Sequence, residues 1–522
     1  MSSALGGRHG RRMAVMEPKR WAMLVATCST SLIFLDQTAV VVALTAIQRD
    51  LGLGQLATQW IVNVYVLALA ALTPVASRLG DVKGRLGTLA VGVVLFLSGS
   101  IAAALAEGPV VILAARALQG IGGSVLLPMS LAIISDTFPE ADRGGALGQV
   151  LAIASACLAL GPLIGGLIIE VASWRWVFWL NLPFAAAALA LVLAMRPGAA
   201  GAPAARSLDV PGAVTFTAGL SAVSIALMQA RGWGWTSGRT LGLLGASACL
   251  LVAFVKVESR RPHPLVSVPL LRNRQLLGAV ITATGMRFVV LGGLVFAVLY
   301  LQVILGMSPL WSGIAILPGS APLLVVPPIM GRMTDRIGPR GPMLLGVGIT
   351  ALALVWLTAV LSHVSYWLIA PGILLYGIGS AAVLTPTTTA AVNAVGPDDR
   401  GLASGLVSAS RQIGGLLGMT GMAAVATNVE FHVLAASVAA QGGGPRELEQ
   451  LDGLLSRGAA GIALAMRTIS PDALDVCRRA LLDAMTAAFA LAAAICVLTF
   501  VLAGVMLPRR SARRPAGNGS HE

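Results

Sequence analysis

Charged side chains are scarce in this sequence: only 11% of its 522 residues are Asp, Glu, Lys or Arg, against about 25% in an ordinary soluble domain. Hydrophobic residues make up 57%. So few charges cannot cover the water-facing surface of a chain this long, which excludes soluble, disordered and collagen-like proteins. A polytopic membrane protein remains.

Cysteine and histidine are also few, with five residues of each type. Four of the cysteines lie in apolar runs, and the chain has no CxxC motif and no Cys/His cluster. Neither a disulfide framework nor a metal site is expected. No glycine-rich segment carries the lysine of a phosphate-binding loop, so we expect no nucleotide and no other cofactor.

What the chain has in abundance is long apolar stretches. Fourteen of them reach the roughly 20 residues that a helix needs to cross a bilayer. The sequence therefore predicts an all-α polytopic membrane protein with fourteen transmembrane helices. The predicted spans lie near 21–44, 59–78, 87–106, 109–134, 144–168, 174–195, 210–230, 239–257, 276–301, 309–330, 341–361, 366–393, 401–427 and 482–507.

The net charge of +14 could indicate a nucleic-acid partner. Its distribution indicates instead the excess of Lys and Arg that marks cytoplasmic loops. With the N-terminus inside, 24 of the 36 basic residues fall in inside segments and nine in outside segments. We therefore expect both termini, 1–20 and 508–522, in the cytoplasm, a retained first span, the lipid bilayer as environment, and no nucleic acid.

Two loops of the sequence resemble each other. The segment Arg78-Leu-Gly-Asp-Val-Lys-Gly-Arg-Leu-Gly matches Arg332-Met-Thr-Asp-Arg-Ile-Gly-Pro-Arg-Gly, and Asp142-Arg-Gly matches Asp399-Arg-Gly at nearly the same offset. This predicts two parallel six-helix bundles, 21–195 and 276–507, joined by a linker with two extra helices at 196–275. The second bundle includes an extracytoplasmic loop at 428–481, in which the leucine spacing predicts a short surface helix near 446–455. The segment is either an ordinary extracytoplasmic loop or a gating lid. Parallel repeats of this kind build transporters.

Four motifs, one of them within the first of the matching loops, make the chain resemble the major facilitator superfamily, specifically its fourteen-span drug:proton antiporters. They are Leu35-Asp-Gln-Thr in span 1, Gly80-Asp-Val-Lys-Gly-Arg after span 2, Arg116-Ala-Leu-Gln-Gly-Ile-Gly-Gly in span 4 and Gly161-Pro-Leu-Ile-Gly-Gly in span 5. The resemblance covers nearly the whole chain. It implies a proton-coupled exporter of amphipathic small molecules such as antibiotics, acting as a monomer in the inner membrane. A proton-coupled uptake carrier is the alternative; an enzyme or receptor would need a reactive cluster or ligand domain, and the sequence shows neither.

Asp36 is the only carboxylate placed clearly within a predicted span. An ionised carboxylate in hydrocarbon costs several kcal/mol, so it must be paired, hydrated or protonated. Arg116 lies about 10 Å from the outer end of its span and Asp36 about 12 Å, at the helical rise of about 1.5 Å per residue. The two could therefore meet. Asp36 is either a proton carrier coupled to Arg116 or a permanently ionised partner that holds two helices together.

Two glycine-containing motifs are candidates for conformational control. Gly161, Pro162, Gly165 and Gly166 form a small-residue face with a kink, which could serve plain packing or a leak-tight interface that permits rocking. The repeated loop, with Gly80, Asp81, Gly84, Arg85 and its counterpart Asp335, could be a charge latch between the halves or a solvated turn.

Arg287 and Arg411 lie near mid-membrane without an acidic partner in a span. A buried, unpaired arginine is expensive, so each is expected to face water, helix carbonyls or a polar substrate. Gln119, Gln302 and Gln412 complete the set of candidate substrate contacts.

Overall fold

The computed structural model describes residues 18–194, 209–260, 268–396, 400–440, 444–455 and 471–508. Over these ranges the chain is helical and contains no strand. Fourteen helical segments are long and apolar enough to cross a membrane, which confirms the predicted all-α, fourteen-span fold. Most of both terminal tails, and Asp399 of the repeated loop, lie outside the described residues.

The first six spans form one half of the molecule and the last six form the other. The first half consists of α1 (Pro18–Asp50), α2 (Gln55–Lys83), α3 (Arg85–Ala104), α4 (Pro109–Thr137), α5 (Glu140–Val171) and the pair α6 (Arg175–Trp179) and α7 (Asn181–Ala194). The extra spans are α8 (Val210–Trp233) and α9 (Gly238–Glu258). The second half consists of α10 (Arg274–Leu299) with a π-helical turn at Tyr300–Ile304, the pair α11 (Pro309–Ser320) and α12 (Pro322–Ile337), α13 (Arg340–Val360), α14 (Tyr366–Val392), α15 (Arg400–Ala440), a short α16 (Pro445–Leu455) and α17 (Pro471–Met506).

The two halves repeat the same packing. In the first half α1 packs on α5, α3 on α4, and α2 on α4. The corresponding pairs of the second half are α10 on α15, α13 on α14, and α12 on α14. The two matching loops also turn in the same way, because Gly84 (φ 93°) and Gly338 (φ 84°) both have the positive φ that favours glycine. The duplication read from two loops therefore extends through the helical framework.

The two extra spans lie at one side of the seam between the halves. α8 packs against α2 of the first half and α15 of the second, and α9 packs on α8. Each helix begins with a side-chain cap: Asp209 accepts from the backbone N–H of Gly212 at 3.1 Å, and Ser237 accepts from that of Thr240 at 3.2 Å.

The thirteenth span is longer than the sequence predicts. α15 continues from residue 427, the predicted end, to Ala440, and α17 begins at Pro471 rather than near 482. The extension is held by a small apolar cluster in which Leu434 and Val438 of α15 meet Leu451 of α16 and Ala480 of α17. The segment predicted as a loop is therefore largely helical where it is described, and the predicted surface helix is α16.

Glycines of α5 let that helix pack closely on both halves. A Cβ at Gly161 would lie 1.8 Å from Oγ1 of Thr38, and one at Gly165 would lie 2.9 Å from the carbonyl oxygen of Ala39, both on α1. A Cβ at Gly166 would lie 2.4 Å from the carbonyl oxygen of Pro309 on α11. Two of these positions face α1 and the third faces the opposite half.

The halves are joined towards one face of the bundle. We call the face at which α1 begins and α17 ends the termini face, and its opposite the far face. Gln302 donates to the carbonyl oxygen of Val42 at 3.2 Å, and Gln55 donates to Glu430 at 3.3 Å, both towards the far face. Nearer the middle, Ser320 donates to the carbonyl oxygen of Ala159 at 2.9 Å. The described conformation is thus closed at its far face.

We predict that Gly166→Ala weakens this closure. The added methyl group would collide with backbone of α11, and overpacking of this kind costs about 1–3 kcal/mol. The variant should have a lower Tm in detergent, and spin labels at the far-face ends of α5 and α11 should move apart. Gly148→Ala is the matched control on the same helix, since a Cβ there has nothing within 4 Å. Equal Tm values and label distances for the two variants would refute the prediction.

Candidate functional site: a buried ion pair beside a central cavity

Asp36 and Arg116 form an ion pair inside the first half. Nη1 of Arg116 lies 2.7 Å from Oδ2 of Asp36, and both side chains are fully buried. The depth estimate from the sequence therefore corresponds to a direct contact. Two opposite charges removed from water at this distance stabilise each other strongly, and removing either one would leave an uncompensated buried charge.

Three neutral side chains surround the carboxylate and the guanidinium. Asn181 donates to Oδ1 of Asp36 at 2.9 Å, and Gln119 donates to the same oxygen at 3.4 Å. The Oε1 atom of Gln119 accepts from Arg116 at 2.8 Å. Both amides also donate to the hydroxyl of Ser100, at 2.9 and 2.8 Å. The ion pair is therefore hydrogen-bonded by side chains of α4 and α7, and Ser100 of α3 holds both of those side chains in place.

Arg116 has contacts beyond the carboxylate. Its Nε donates to the carbonyl oxygen of Ile61 at 3.1 Å, and its guanidinium lies 4.2 Å from the ring centre of Tyr65. Its Nη2 atom has no hydrogen-bond partner among the described residues, and neither has the hydroxyl of Tyr65. The guanidinium thus has backbone and aromatic contacts that would keep it in place when Asp36 is neutral.

The glycines after Arg116 explain how α4 reaches these partners. A Cβ at Gly120 would lie 2.5 Å from the carbonyl oxygen of Tyr65 on α2, and one at Gly122 would lie 2.5 Å from the backbone nitrogen of Phe96 on α3. α4 therefore packs against two neighbours at backbone distance. This brings Arg116 within reach of the carbonyl of Ile61.

A cavity lies between the two halves, with about 1170 Å³ of empty space including its mouth. Its walls are mostly apolar, with a few polar groups from both halves. The residues that line it include Gln37, Thr38, Leu158, Pro162, Met286, Arg287, Leu294, Ser320, Tyr376, Leu384, Arg411 and Phe489.

Arg287 connects the cavity wall to the helix that carries Asp36. Its Nη2 atom donates to Oε1 of Gln37 at 2.6 Å, across the seam between α10 and α1. Thr38, the next residue, donates to the carbonyl oxygen of Leu158 on α5 at 3.2 Å. A group bound at Arg287 would thus contact the partner of Gln37, and Gln37 is the residue that follows the buried Asp36.

Arg411 lines the same cavity but is bound within its own half. Its Nη2 atom donates to the carbonyl oxygen of Leu384 at 2.9 Å and to the hydroxyl of Thr388 at 3.1 Å. Helix groups satisfy part of its hydrogen-bonding capacity. The remaining guanidinium donors stay next to the cavity.

The three glutamine candidates do not line this cavity. Gln119 belongs to the buried frame around Asp36. Gln302 accepts from Thr45 and donates to Val42 and Ser312, so it joins the halves near the far face. Gln412 is half-buried next to Arg411. Arg287 and Arg411 are the candidate substrate contacts that the structure brings together at the cavity.

The loop charges gather at the termini face. Arg85 forms ion pairs with Asp136 and, at 3.5 Å, with Asp81, and it donates to the carbonyl oxygen of Ala132 at 2.9 Å. All of these partners belong to the first half. Gly80 and Gly84 sit at the end of α2, and Gly338 makes the equivalent turn beyond Asp335 in the second half. Within the described residues no group of three or more His, Cys, Asp or Glu side chains could hold a metal ion.

Sequence reasoning missed several residues of the site. Asn181 donates to Asp36 and Ser100 accepts from Asn181, but both are neutral and lie in apolar runs. Gln37 directly follows Asp36, and its position in an otherwise apolar span is a signal that could have flagged it. Glu430 was placed in a loop because the predicted end of span 13 lay three residues before it. The structure corrects this, since Glu430 is a buried residue of α15.

Comparison with known proteins gives a consistent result. The family model described as Major Facilitator Superfamily matches residues 26–419. The chain is 34% identical over 399 residues to the tetracenomycin C resistance and export protein of Streptomyces glaucescens, covering 76% of this chain and 74% of that one. It is 37% identical over 395 residues to the multidrug resistance protein Stp of Mycobacterium tuberculosis, covering 76% and 73%. It is 32% identical over 426 residues to the puromycin resistance protein of Streptomyces alboniger, covering 80% and 84%.

Among solved structures, a bacterial homolog of the human lysosomal transporter Spinster superimposes with a TM-score of 0.68, at 17% identity over 96% of this chain and 100% of that one. A structural likeness at 17% identity shows that the fold is shared and no more. The family model and the three relatives above 30% identity show common descent. This chain belongs to the Major Facilitator Superfamily.

Proposed function

We propose that the protein exports amphipathic small molecules across the cytoplasmic membrane in exchange for protons. The observation that carries the proposal is the fully buried ion pair of Asp36 with Arg116, because Asp36 lies on α1, the helix that also lines the central cavity through Gln37. The relatives named for antibiotic resistance and export support the direction of transport and the class of substrate. The termini face is the cytoplasmic face in this proposal, and the protein acts as a monomer.

Proton exchange at Asp36 changes the balance of charges inside the first half. With Asp36 ionised, Arg116 is neutralised and the frame of Asn181 and Gln119 donates to the carboxylate. Protonation removes the negative charge and leaves the positive charge of Arg116 uncompensated in a medium of low dielectric. The state with a protonated Asp36 therefore favours a conformation in which water or substrate reaches this region.

Substrate and proton act on the same helix. A ligand at Arg287 competes with Gln37 for its guanidinium, and Gln37 is adjacent to Asp36 on α1. Binding can thus shift α1 and the environment of the carboxylate together. Alternating access follows when the two halves rock about the α5–α11 contact, which glycines keep close.

The first test is Asp36→Asn. Asparagine keeps the shape of the side chain and can accept from Asn181, but it cannot exchange a proton at working pH. We expect gradient-driven efflux from everted vesicles to fall by about 100-fold, the lower end of what proton-transferring groups contribute. Binding of substrate to the purified protein should persist.

Asp50→Asn is the matched control. Asp50 also lies on α1 and forms an ion pair, with Arg175 at 2.7 Å, but its side chain is about half exposed. It should retain most efflux. Full proton-driven efflux by Asp36→Asn would remove Asp36 as the carrier. Loss of efflux by both variants to the same extent would show a general effect of charge loss on α1.

A second test addresses Asp81. We propose that Asp81 helps to hold the cytoplasmic face closed in the outward-facing state, while in the described conformation it lies beside Arg85 of its own half. Asp81→Asn should favour inward-facing forms and slow turnover. A partly exposed ion pair contributes at most about 1 kcal/mol, so the population should shift by up to roughly fivefold.

Electron–electron double resonance measures that shift as a change in the distances between spin labels placed across the cytoplasmic mouth. Asp142→Asn, which removes a surface ion pair with Lys19 at the same face, is the control and should leave the distances unchanged. Wild-type distances and turnover for Asp81→Asn would contradict the latch.

A third test addresses the charge of the substrate. Two arginines and no acidic residue of the part of the chain that the structure describes line the central cavity, so acidic, zwitterionic or neutral amphiphiles should bind there better than dications. Arg411→Gln should reduce efflux of an acidic aromatic antibiotic several-fold and leave that of a neutral one unchanged. The same loss for both compounds, or none for either, would oppose a role for Arg411 in charge selection.

A further inference from the structure

A second chamber lies in the seam between the halves, towards the far face. It has about 870 Å³ of empty space including its mouth and shares no lining residue with the central cavity. Helices of both halves enclose it: α1 and α2 on one side, and α10, α15 and α17 on the other. Its polar lining residues are Gln48, Gln55, Thr58, Gln59, Asn63 and Glu430.

Among the described residues, Glu430 is the one charged side chain that lines this chamber. Glu430 is only 1% exposed, and its Oε2 atom accepts a hydrogen bond from Gln55 at 3.3 Å. Its Oε1 atom has no hydrogen-bond partner among the described residues. The nearby Arg231 forms an ion pair with Asp452 instead. A buried carboxylate therefore borders the chamber with half of its hydrogen-bonding capacity unused, an arrangement that favours a cation.

The remaining walls suit the apolar part of such a cation. Phe296, Met419 and Met485 line the chamber. Aromatic faces attract cations, and methionine side chains adapt to ligands of different shape. The side-chain oxygens of Gln48 and Asn63 add acceptors, and no Lys, Arg or His of the described ranges lines the chamber. The central cavity has the opposite character, since its described lining residues include two arginines and no acid.

We propose that this chamber, centred on Glu430, is a second binding site that takes the charged nitrogen of an organic monocation. The carboxylate supplies the counter-charge and the aromatic and thioether groups contact the apolar body. The two sites then select by charge: the central cavity accepts acidic and neutral amphiphiles, and the seam chamber accepts cations. The proposal concerns binding and does not depend on proton coupling or on the direction of transport.

The test measures ethidium binding to the full-length protein in nanodiscs of zwitterionic phosphatidylcholine, by fluorescence anisotropy and without a gradient. Glu430→Gln keeps the shape of the side chain and the contact with Gln55 but removes the charge. We expect the Kd for ethidium to rise at least tenfold. Glu447→Gln, which removes an exposed acid of α16, is the matched control and should leave the Kd unchanged. The measurement is made without a gradient, so it does not depend on the proposed proton carrier, and a failure of that carrier would leave this result unchanged.

A neutral dye, Nile red, reports whether the Glu430→Gln variant is folded, since its binding should be the same as in the wild-type protein. Photolabelling of the wild-type protein with ethidium monoazide locates the site independently of any variant. Labelled peptides should come from residues 55–63, 419–430 or 481–485. An unchanged ethidium Kd in Glu430→Gln overturns the proposal, and so does labelling confined to residues of the central cavity.

Discussion

The cost of placing charge in a hydrocarbon environment governs the arrangement of this molecule. The Asp36–Arg116 pair is completely enclosed, and further hydrogen bonds to such a pair help to offset the cost of burying its charges. Asn181 and Gln119 donate to Asp36, Gln119 also accepts from Arg116, and both amides donate to Ser100, so side chains of three helices take part. The first half must therefore assemble around the pair, so a change in the packing of its helices also changes the electrostatic environment of Asp36 and Arg116.

Glycine positions decide how closely the helices around that pair approach. Gly120 and Gly122 bring α4 to its neighbours, and Gly161 and Gly166 bring α5 to α1 and to the opposite half. Without a hydrophobic effect between lipid-embedded helices, close packing of this kind is a main source of helix association. The same residues therefore supply stability and define the surface on which the halves meet.

The sequence predicts much of this and fails for understandable reasons. Apolar length gave the fourteen spans, and the matching loops gave the duplicated halves, because both signals are local. The contact between Asp36 and Arg116 could be predicted from their similar depth, because each residue of a helix advances by a fixed rise along the axis. Partners such as Asn181 depend on how helices rotate about their axes, which one sequence does not reveal. Glu430 was missed because α15 continues past the point at which its hydropathy falls, held there by the apolar cluster with α16 and α17.

Three consecutive residues of α1 connect the parts of the site. Successive side chains of a helix point about 100° apart, because a turn contains 3.6 residues. Asp36 accordingly points at α4 and α7, Gln37 at Arg287 across the seam, and Thr38 at α5. A rotation or shift of α1 must change all three contacts at once, since they share one rigid backbone. Charge neutralisation in the first half, ligand contact in the second and the fit of α5 are thereby linked through a single turn of helix, without any chain of intermediate side chains.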